Sequence, residues 1–361
     1  MKKKWMILLS IPLLLIGCGT ETSILEDIYM AEVVGFDAEG QDKVKGSVIV
    51  SFAKPGEEAT MSKEMIQSVT HSLKNVKQEN KGKSPLPIAA GRLEVILYGE
   101  ELAKKGLRDY VDTYRRDPNI GTDLFLAVVD SRAEDVIKVE KESTDMPRIH
   151  TKELIEQNNV TNLPASSLQR FLYSWGGKGL DPVLPLLDIT KKGEIRIKGI
   201  ALFRDDRYIG KHVSYMDGFL FKMIMESFRK GTYELKWKNN DYININNIKS
   251  KVRYRIENAN ENPRVRIEVN MKGGLLEAQG YDINKEVSLG KIEKKAQKEF
   301  EERIKKMVRF FQENHIDPLA IGDRARSKTR GFNFKHWEEV YPDIPIDVKV
   351  NIQFIQEGIS E

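Results

Sequence analysis

The first twenty residues limit what the rest of the chain can become. Residues 1–4 are a basic stub, and residues 5–16 are almost wholly apolar. A charged start, an apolar core of about a dozen residues and small residues after it are typical of a secretory signal peptide. The apolar stretch is too short for a transmembrane helix, which takes roughly 20 residues. The sequence therefore predicts export, with residues 1–17 as the signal peptide.

Cys18 is the only cysteine of the chain, and it directly follows Leu15-Ile16-Gly17. This order resembles the cleavage site of bacterial lipoproteins, in which the thiol receives a diacylglyceryl group and the new amino terminus a further acyl chain. Two or more chains anchor stably, whereas one gives marginal binding. We expect lipid attachment at Cys18 and a polar tether over residues 18–27. An ordinary signal peptide with an incidental cysteine is the alternative.

Composition then restricts the class of protein. The 361 residues include 58 Lys and Arg against 54 Asp and Glu. Three of the lysines lie in the signal peptide, so the remainder carries 55 basic against 54 acidic residues. This balance argues against a nucleic-acid binder, which would concentrate basic charge. Hydrophobic content of 40% and charged content of 31% favour well-solvated globular domains.

Hydrophobic periodicity predicts a mixture of strands and helices before residue 190. We expect strands at 28–36 and 44–52 to pair as a hairpin. Ser62 is predicted to cap a helix that runs to Asn80 with apolar residues at helical spacing. Further elements are expected in this order: a strand at 92–98, a helix at 100–116, a buried strand at 123–129, and helices at 133–139, 151–157 and 165–175.

The second half is predicted to be α+β. The main boundary is placed near 190–194, which separates an N-terminal α/β region (28–190) from a C-terminal α+β domain (195–361). Residues 264–271 alternate strictly, which indicates a half-exposed antiparallel sheet. The other expected elements are strands at 195–203, 208–210, 248–256 and 346–354, a helix at 217–230, and a long helix at 284–314 with one apolar stripe.

Three sequence patterns resemble catalytic or cofactor-binding motifs but do not meet the requirements of those motifs. Gly82-Lys83-Ser84 lacks the glycine that a phosphate-binding loop needs five positions earlier, where Lys77 stands. Gly176 to Gly179 lacks the dinucleotide-binding spacing. Asp205-Asp206 lies in a predicted turn, where Asp is favoured for local hydrogen bonds. The sequence therefore predicts no catalytic residue, no cofactor and no metal site.

Two further groups of side chains are candidates for binding. The histidines are scattered and are assigned ordinary roles; they are His71, His150, His212, His315 and His336. The most prominent basic cluster is Arg324, Arg326, Lys328 and Arg330. It could contact anionic lipid or an acidic partner. The favoured interpretation is a solvated helix end that interacts with the helix dipole.

Several short segments, in their order after Cys18, resemble the Ger(x)C family, the C-subunit lipoproteins of spore nutrient germinant receptors. Residues 19–22 (Gly-Thr-Glu-Thr) depart from the Trp-Asp-Arg-Arg-Glu-Leu that members often carry after the lipidated cysteine. The matching segments are Val95 to Ala103, Gly106-Leu107, Arg116 to Pro118, Asp181 to Pro185, Lys198 to Phe203 with Asp206 and Tyr208 to Gly210, Asp317 to Gly322, and Trp337 to Pro342.

The resemblance implies an α+β, multi-domain fold of three mixed β-sheets flanked by helices. It further implies a non-enzymatic subunit on the outer face of the inner spore membrane, held by acylated Cys18. Its partners would be a multi-spanning A subunit and a transporter-like B subunit, with no nucleic acid.

One alternative of another class remains open, a solute-binding lipoprotein of an ATP-driven importer. Such a protein would need two lobes around a ligand cleft. A cell-wall hydrolase would need a paired acid and base, and no such pair is recognised in the sequence.

Overall fold

The computed structural model describes residues 27–53, 61–121, 123–142, 149–237, 241–278 and 289–355. Over these residues the chain forms two mixed β-sheets, one of nine strands and one of four, with helices packed against them. The predicted α+β class is confirmed. Cys18, the predicted signal peptide and nearly all of the predicted tether lie outside the described residues. None of the described helices is both long and apolar enough to cross a membrane.

The elements follow one another along the chain. The strands are β1 (Tyr29–Glu39), β2 (Lys43–Ala53), β3 (Met61–Thr70), β4 (Ile88–Ala89), β5 (Val95–Gly99), β6 (Phe125–Val129), β7 (Val183–Ile189), β8 (Ile195–Arg204), β9 (Arg207–Ser214), β10 (Thr232–Lys236), β11 (Tyr242–Glu257), β12 (Arg264–Ala278) and β13 (Ile346–Phe354). The helices are α1 (Leu73–Lys83), α2 (Glu100–Lys105), α3 (Arg108–Arg115), α4 (Ala133–Glu142), α5 (His150–Val160), α6 (Leu168–Gly176), α7 (Tyr215–Met225), α8 (Leu289–Glu313), α9 (Ile321–Lys328) and α10 (Phe334–Val340).

The first sheet has the order β3-β2-β1-β5-β6-β7-β8-β9, with β4 beside β1. The predicted hairpin is confirmed, because β1 and β2 pair antiparallel. Strands β1, β5, β6 and β7 run parallel, and their centre is fully buried, with every residue of β5 inaccessible. Burial on both faces explains why β5 and β6 are continuously apolar and do not alternate.

The predicted helix from Ser62 to Asn80 is wrong in its first half. Residues 61–70 form β3, which pairs antiparallel with β2 over its whole length. The helix begins only at Leu73, where the Ser72 hydroxyl accepts a hydrogen bond from Asn75 N at 3.3 Å. Ile66, Ser68 and Thr70 are buried at every second position, a period that the helical spacing of the larger apolar residues concealed.

The predicted helix over 100–116 is two helices. It breaks at Gly106, whose φ is +122°. The turn between β8 and β9 reaches this break: Leu107 N donates to Asp206 O at 2.9 Å, and Arg108 N donates to the Asp206 carboxylate at 3.0 Å. A tertiary contact therefore supplies the acceptors that a continuous helix would have provided.

The predicted helix over 217–230 is displaced, because α7 begins at Tyr215 and ends at Met225. The residues after it join the second sheet instead. Ser250 N donates to Phe228 O at 2.9 Å, and Lys230 N donates to Asn247 O at 3.0 Å. Gly231, which directly follows the predicted helix, has a φ of +106° and lies directly before β10.

The predicted division near 190–194 falls in the turn between β7 and β8. These two strands pair antiparallel from Val183 with Leu202 to Ile189 with Ile195. The first sheet therefore continues across the turn. Its last two strands, β8 and β9, come from the second half of the chain.

The second sheet has the order β10-β11-β12-β13. Strands β11 and β12 pair antiparallel, and Arg264, Arg266 and Asn270 are exposed while Val265, Ile267 and Val269 are buried, as the alternation predicts. The closing strand β13 has the predicted bounds and pairs parallel with β12. Helix α8 covers the buried face with the predicted apolar stripe, which includes Ile292, Phe300 and Phe311.

Helix α7 joins the two sheets. Phe219, Leu220, Phe221, Met223 and Ile224 are fully buried, and they belong to one apolar cluster that extends from β1 to β13. Burial of this kind contributes about 25 cal/mol per Å² of apolar surface, so the shared cluster resists separation of the sheets.

Candidate functional site at the junction of the two halves

Two Asp-Pro pairs, 136 residues apart, meet where the halves of the chain join. The Asp181 carboxylate accepts a hydrogen bond from Asp317 N at 2.7 Å. In return, Asp181 N donates to Asp317 O at 2.9 Å. The proline after each aspartate fixes its own φ and keeps its predecessor extended, which holds both segments in the shape that this exchange requires.

The remaining carboxylate oxygens also accept from backbone N–H groups. The second oxygen of Asp181 accepts from Asp205 N at 3.0 Å, in the turn between β8 and β9. The two oxygens of Asp317 accept from Ile321 N at 3.0 Å and from Gly322 N at 2.7 Å, at the start of α9. The aspartates thus bind three segments together and satisfy N–H groups that the first turn of α9 leaves unpaired.

Two glycines allow the backbones to approach at this junction. A Cβ added to Gly322 would lie 2.9 Å from Gly179 Cα and 2.9 Å from Trp337 Nε1. A Cβ added to Gly179 would lie 2.7 Å from the carbonyl carbon of Gly322, and Gly179 has a φ of +74°. Asp323 N donates to Gly179 O at 2.9 Å across the same contact.

Aromatic side chains form the wall beside the aspartates. Trp337 is 2% exposed and Tyr341 is 6% exposed. The Tyr341 hydroxyl donates to Ile316 O at 3.1 Å. Next to this wall lies a cleft of about 620 Å³, the order of size of a small-molecule pocket. Its rim carries charged side chains from both halves: Lys178, Arg204, Asp205, His315 and Glu338.

Burial determines the electrostatics of the junction. Burial raises the pKa of Asp317 to about 7, against the opposing effect of its two N–H donors. Burial likewise raises the pKa of Asp181. Burial also raises the pKa of Tyr341 well above its usual value, and the neighbouring Asp317 carboxylate adds to this effect.

The arrangement is suited to holding segments together. Each carboxylate oxygen of the aspartate pair already has a backbone donor, so neither carboxylate is positioned as a free base or as a ligand. In the described residues no three side chains of His, Cys, Asp or Glu gather in a group that could hold a metal ion.

A second contact joins the halves farther along the same sheet. A Cβ on Gly106 would lie 2.7 Å from the Asp206 carboxylate, which accepts from Arg108 N as described above. Glycine is therefore required at this helix break for close approach as well as for its positive φ. Asp206 is a buried helix cap, while Asp205 exposes its side chain and adopts a φ of +53° in the turn.

Most of the predicted basic cluster is occupied by contacts within the chain. The Arg324 guanidinium lies over the Tyr254 ring at 4.4 Å, and Arg326 binds the Asp323 carboxylate with nitrogens at 2.6 and 3.2 Å. The Lys328 ammonium donates to Tyr254 O at 3.2 Å. The favoured interpretation, a solvated helix end that interacts with the helix dipole, stays a prediction, and the first three residues make these contacts within the chain.

The convergence of these segments was not predicted. Taken locally, each Asp-Pro pair indicates only a stiff extended segment or the end of a helix, because proline fixes its own φ and restricts its predecessor. The available signal was their similarity: both are followed by apolar residues, and each lies near a glycine. Cys18, the predicted lipid site, lies outside the described residues and stays a prediction.

Comparison with known proteins bears on both halves. Residues 21–189 match the family model described as the spore germination protein N-terminal domain. Residues 198–358 match the one described as spore germination B3/GerAC like, C-terminal. The junction described above joins these two matched regions.

Individual relatives agree with this assignment. The spore germination protein GerQC of Bacillus cereus is 29% identical over 366 residues, which cover 99% of this chain and 100% of that protein. The putative spore germination protein YfkR of Bacillus subtilis (strain 168) is 24% identical over 276 residues, 73% of this chain and 70% of the relative. The crystal structure of the GerBC protein superposes with a TM-score of 0.59 at 18% identity, over 90% of this chain and 97% of that one, and supports the fold.

Proposed function

The chain belongs to the spore germination protein family defined by both of these domains, and we propose that it is the lipid-anchored C subunit of a nutrient germinant receptor. A role in spore germination follows from the family itself. The observation that carries the finer proposal is the order of the matches: both domains occur once, in sequence, behind a cysteine in a lipoprotein-like context.

The proposed subunit has no chemistry of its own and acts by holding partners. The aspartate junction and the shared apolar cluster supply a rigid body for this purpose, because they join the two matched regions through buried contacts. The proposed partners are a multi-spanning A subunit and a transporter-like B subunit. The proposed location is the outer face of the inner spore membrane.

The importer-associated alternative fits the architecture less well. A solute-binding protein closes two lobes of repeated βα units on its ligand. In the described part of this chain, one sheet continues from β3 to β9, and α7 packs against both sheets within one apolar cluster. This arrangement favours a rigid scaffold over two closing lobes.

Anchoring is proposed to depend on Cys18, with residues 18–27 as the tether, 28–190 as the N-terminal region and 195–361 as the C-terminal domain. In a Cys18→Ala strain, the nutrient response should be lost while non-nutrient germination persists. Loss of incorporated fatty acid would establish that the variant is unlipidated. A normal nutrient response in an unlipidated strain would contradict the anchor-dependent role.

Co-purification tests the receptor assignment directly. A tagged chain would be solubilised with mild detergent from the inner membrane of spores, and its partners would be identified by mass spectrometry. Recovery of an A-type spanning subunit together with a transporter-like subunit supports the proposal. Recovery of an ATP-driven importer would overturn it in favour of the alternative.

A further inference from the structure

The solvent-facing side of the second sheet concentrates positive charge. We name this surface the basic face, defined by the exposed side chains of β11, β12 and β13. Among the side chains that the structure describes on this face, eight are basic and three are acidic. The basic residues are Lys249, Lys251, Arg253, Arg255, Arg264, Arg266, Lys272 and Lys349, and the acidic ones are Glu257, Glu268 and Asp347.

The charges are unevenly distributed along the strands. The acidic residues lie toward one end, where Arg255 pairs with Glu268 at 3.4 Å and Arg266 pairs with Asp347 at 3.3 Å. At the other end, Lys249 lies opposite Lys272 in the strand register, and Lys251 follows in the next row. We call this the lysine end.

The lysine end is concave and lined by nitrogen donors. A depression of about 440 Å³ is bordered there by the three lysines and by the amides of Asn270, Asn351 and Gln353. No carboxylate is among the residues that line it. Ammonium and amide groups gathered without an acid can donate to the oxygens of an anion.

Two apolar side chains extend the same face beyond the lysines. Leu276 is 60% exposed and Ile355 is 41% exposed. Leu276 lies at a bulge of β12, between the pairs Ile245–Leu275 and Asn244–Glu277. Continued alternation along β13 places Ile355 on the side of Gln353. Ile355 N donates to Gly273 O at 2.9 Å, so the two strands remain paired at this point.

An ordinary solvent-exposed sheet face would explain a mixture of acidic and basic side chains. It explains less well why the acidic residues lie at one end of the strands and the lysines at the other. The chain after its signal peptide is close to neutral, with 55 basic and 54 acidic residues. The centre of a protein–protein interface is typically apolar and aromatic and is depleted in lysine. The basic face has no such centre among its described side chains. An anionic lipid surface requires only clustered lysine and arginine, and aliphatic side chains can insert among its headgroups.

We propose that the basic face docks on an anionic phospholipid surface, with Lys249, Lys251 and Lys272 against the phosphates and Leu276 and Ile355 inserted among the headgroups. The inference rests on the proposed function for its setting, because an anchor at Cys18 would bring the chain to a membrane. The docking itself does not use Cys18.

Vesicle flotation tests the proposal without the anchor. All described strands, helices and core residues lie at or after residue 27, so a chain that begins there contains the whole fold described above. It should float with phosphatidylglycerol-containing vesicles at about 0.05 M NaCl and remain behind with pure phosphatidylcholine. Binding should fall steeply at about 0.5 M NaCl, because salt screens surface charges.

Charge-reversal variants locate the binding surface. Lys249→Glu, Lys251→Glu and Lys272→Glu together should weaken binding by at least about tenfold. The matched control is Lys291→Glu, Lys294→Glu and Lys305→Glu, which makes the same change in net charge on exposed positions of α8, the helix that covers the opposite face. A triple Lys→Gln variant at 249, 251 and 272 guards against misfolding, and it should also lose binding.

Serine substitutions at the two apolar positions test the insertion separately from the charge. Leu276→Ser with Ile355→Ser should weaken binding severalfold and leave its salt dependence unchanged. Absence of lipid-dependent flotation, or equal losses in the two charge-reversal variants, would overturn the proposal. The proposal would also be overturned if the variant at Lys249, Lys251 and Lys272 lost a protein partner but kept its vesicle binding. The basic face would then bind an acidic protein. None of these outcomes bears on lipidation or on receptor assembly.

Discussion

Glu301 of α8 accepts a hydrogen bond from the backbone N–H of Val350 in β13, at 2.9 Å. One helical turn earlier, the Gln297 amide donates to Ile352 O at 3.2 Å, and one turn before that Glu293 accepts from Phe354 N at 2.8 Å. Strand β13 is at the edge of the described sheet, so one side of its backbone has no neighbouring strand. Side chains spaced four residues apart on α8 bind these backbone groups instead.

Removal of the Glu301 acceptor should destabilise the second sheet. Glu301→Ala leaves Val350 N–H without its partner, so we expect the free energy of unfolding to fall by about 1–2 kcal/mol. Urea denaturation measures this change. Glu302→Ala, an exposed neighbour on the same helix, is the matched control and should change stability little. Equal losses in the two variants would contradict the assigned bond.

Loss of two such bonds should also expose the strand edge. We expect the double variant Glu293→Ala with Glu301→Ala to self-associate at concentrations where the wild type is monodisperse, because unpaired edges recruit other strands. Light scattering under native conditions measures it. Monodisperse behaviour of the double variant at every concentration would mean that the helix itself, and not these side chains, shields the edge.

Gly322→Ala should disturb the junction of the halves. The added methyl group would lie 2.9 Å from both Gly179 Cα and Trp337 Nε1, so a backbone contact must open. We expect a loss of about 1–3 kcal/mol in stability and a weaker nutrient response in spores. Gly176→Ala is the control, because apart from its chain neighbours and the backbone of its own helix no atom of the described residues lies within 4 Å of its added methyl group. A variant as stable and as responsive as the control would show that the close approach is not needed.

The stability of the chain should carry a pH dependence from Asp317. Burial raises its pKa from 3.8 to about 7 in the folded chain. Between about pH 4 and pH 7, the folded chain therefore retains a proton that the unfolded chain has released, and the contribution of Asp317 to stability declines as pH rises through this window.

An asparagine at this position removes the titrating group. In Asp317→Asn, the decline of stability between about pH 4 and pH 7 should become shallower, because the raised pKa of Asp181 still contributes to it. Overall stability should be lower by about 1–3 kcal/mol because the amide cannot accept from both Ile321 N and Gly322 N. Urea unfolding at about pH 5, 6 and 7 gives both curves. Asp343→Asn, at an exposed position, is the comparison. Parallel curves for wild type and Asp317→Asn would refute the assignment.

Asp206→Ala should loosen the second contact between the halves. Arg108 N loses its carboxylate partner at the start of α3, and loss of such a cap costs about 1 kcal/mol. Hydrogen exchange should report faster opening at residues 107–111 than in the wild type. Asp206→Asn keeps one acceptor oxygen and should recover most of the protection. Unchanged exchange in Asp206→Ala would mean that water caps the helix equally well.

Much of the fold could be predicted because periodicity reports which side of an element is buried. Strict alternation identified β13 with its bounds, and an apolar stripe identified α8. The same reasoning failed at 61–70, where the larger apolar residues also suit a helix and pairing with β2 decided the outcome.

The candidate site could not be predicted from periodicity. Locally, the Asp-Pro pairs at Asp181 and Asp317 indicate only a stiff segment or the end of a helix, and neither sequence context indicates a partner 136 residues away. The basic face was equally hidden, since Lys249 and Lys272 lie opposite each other only once β11 and β12 pair.

The periods, the turns and the single cysteine can be read from the amino-acid sequence, because they depend on residues close together in the chain. Which carboxylates bind which helices, and where the lysines gather, becomes visible only in the folded chain. Those contacts join segments whose separation along the chain leaves no local pattern to read.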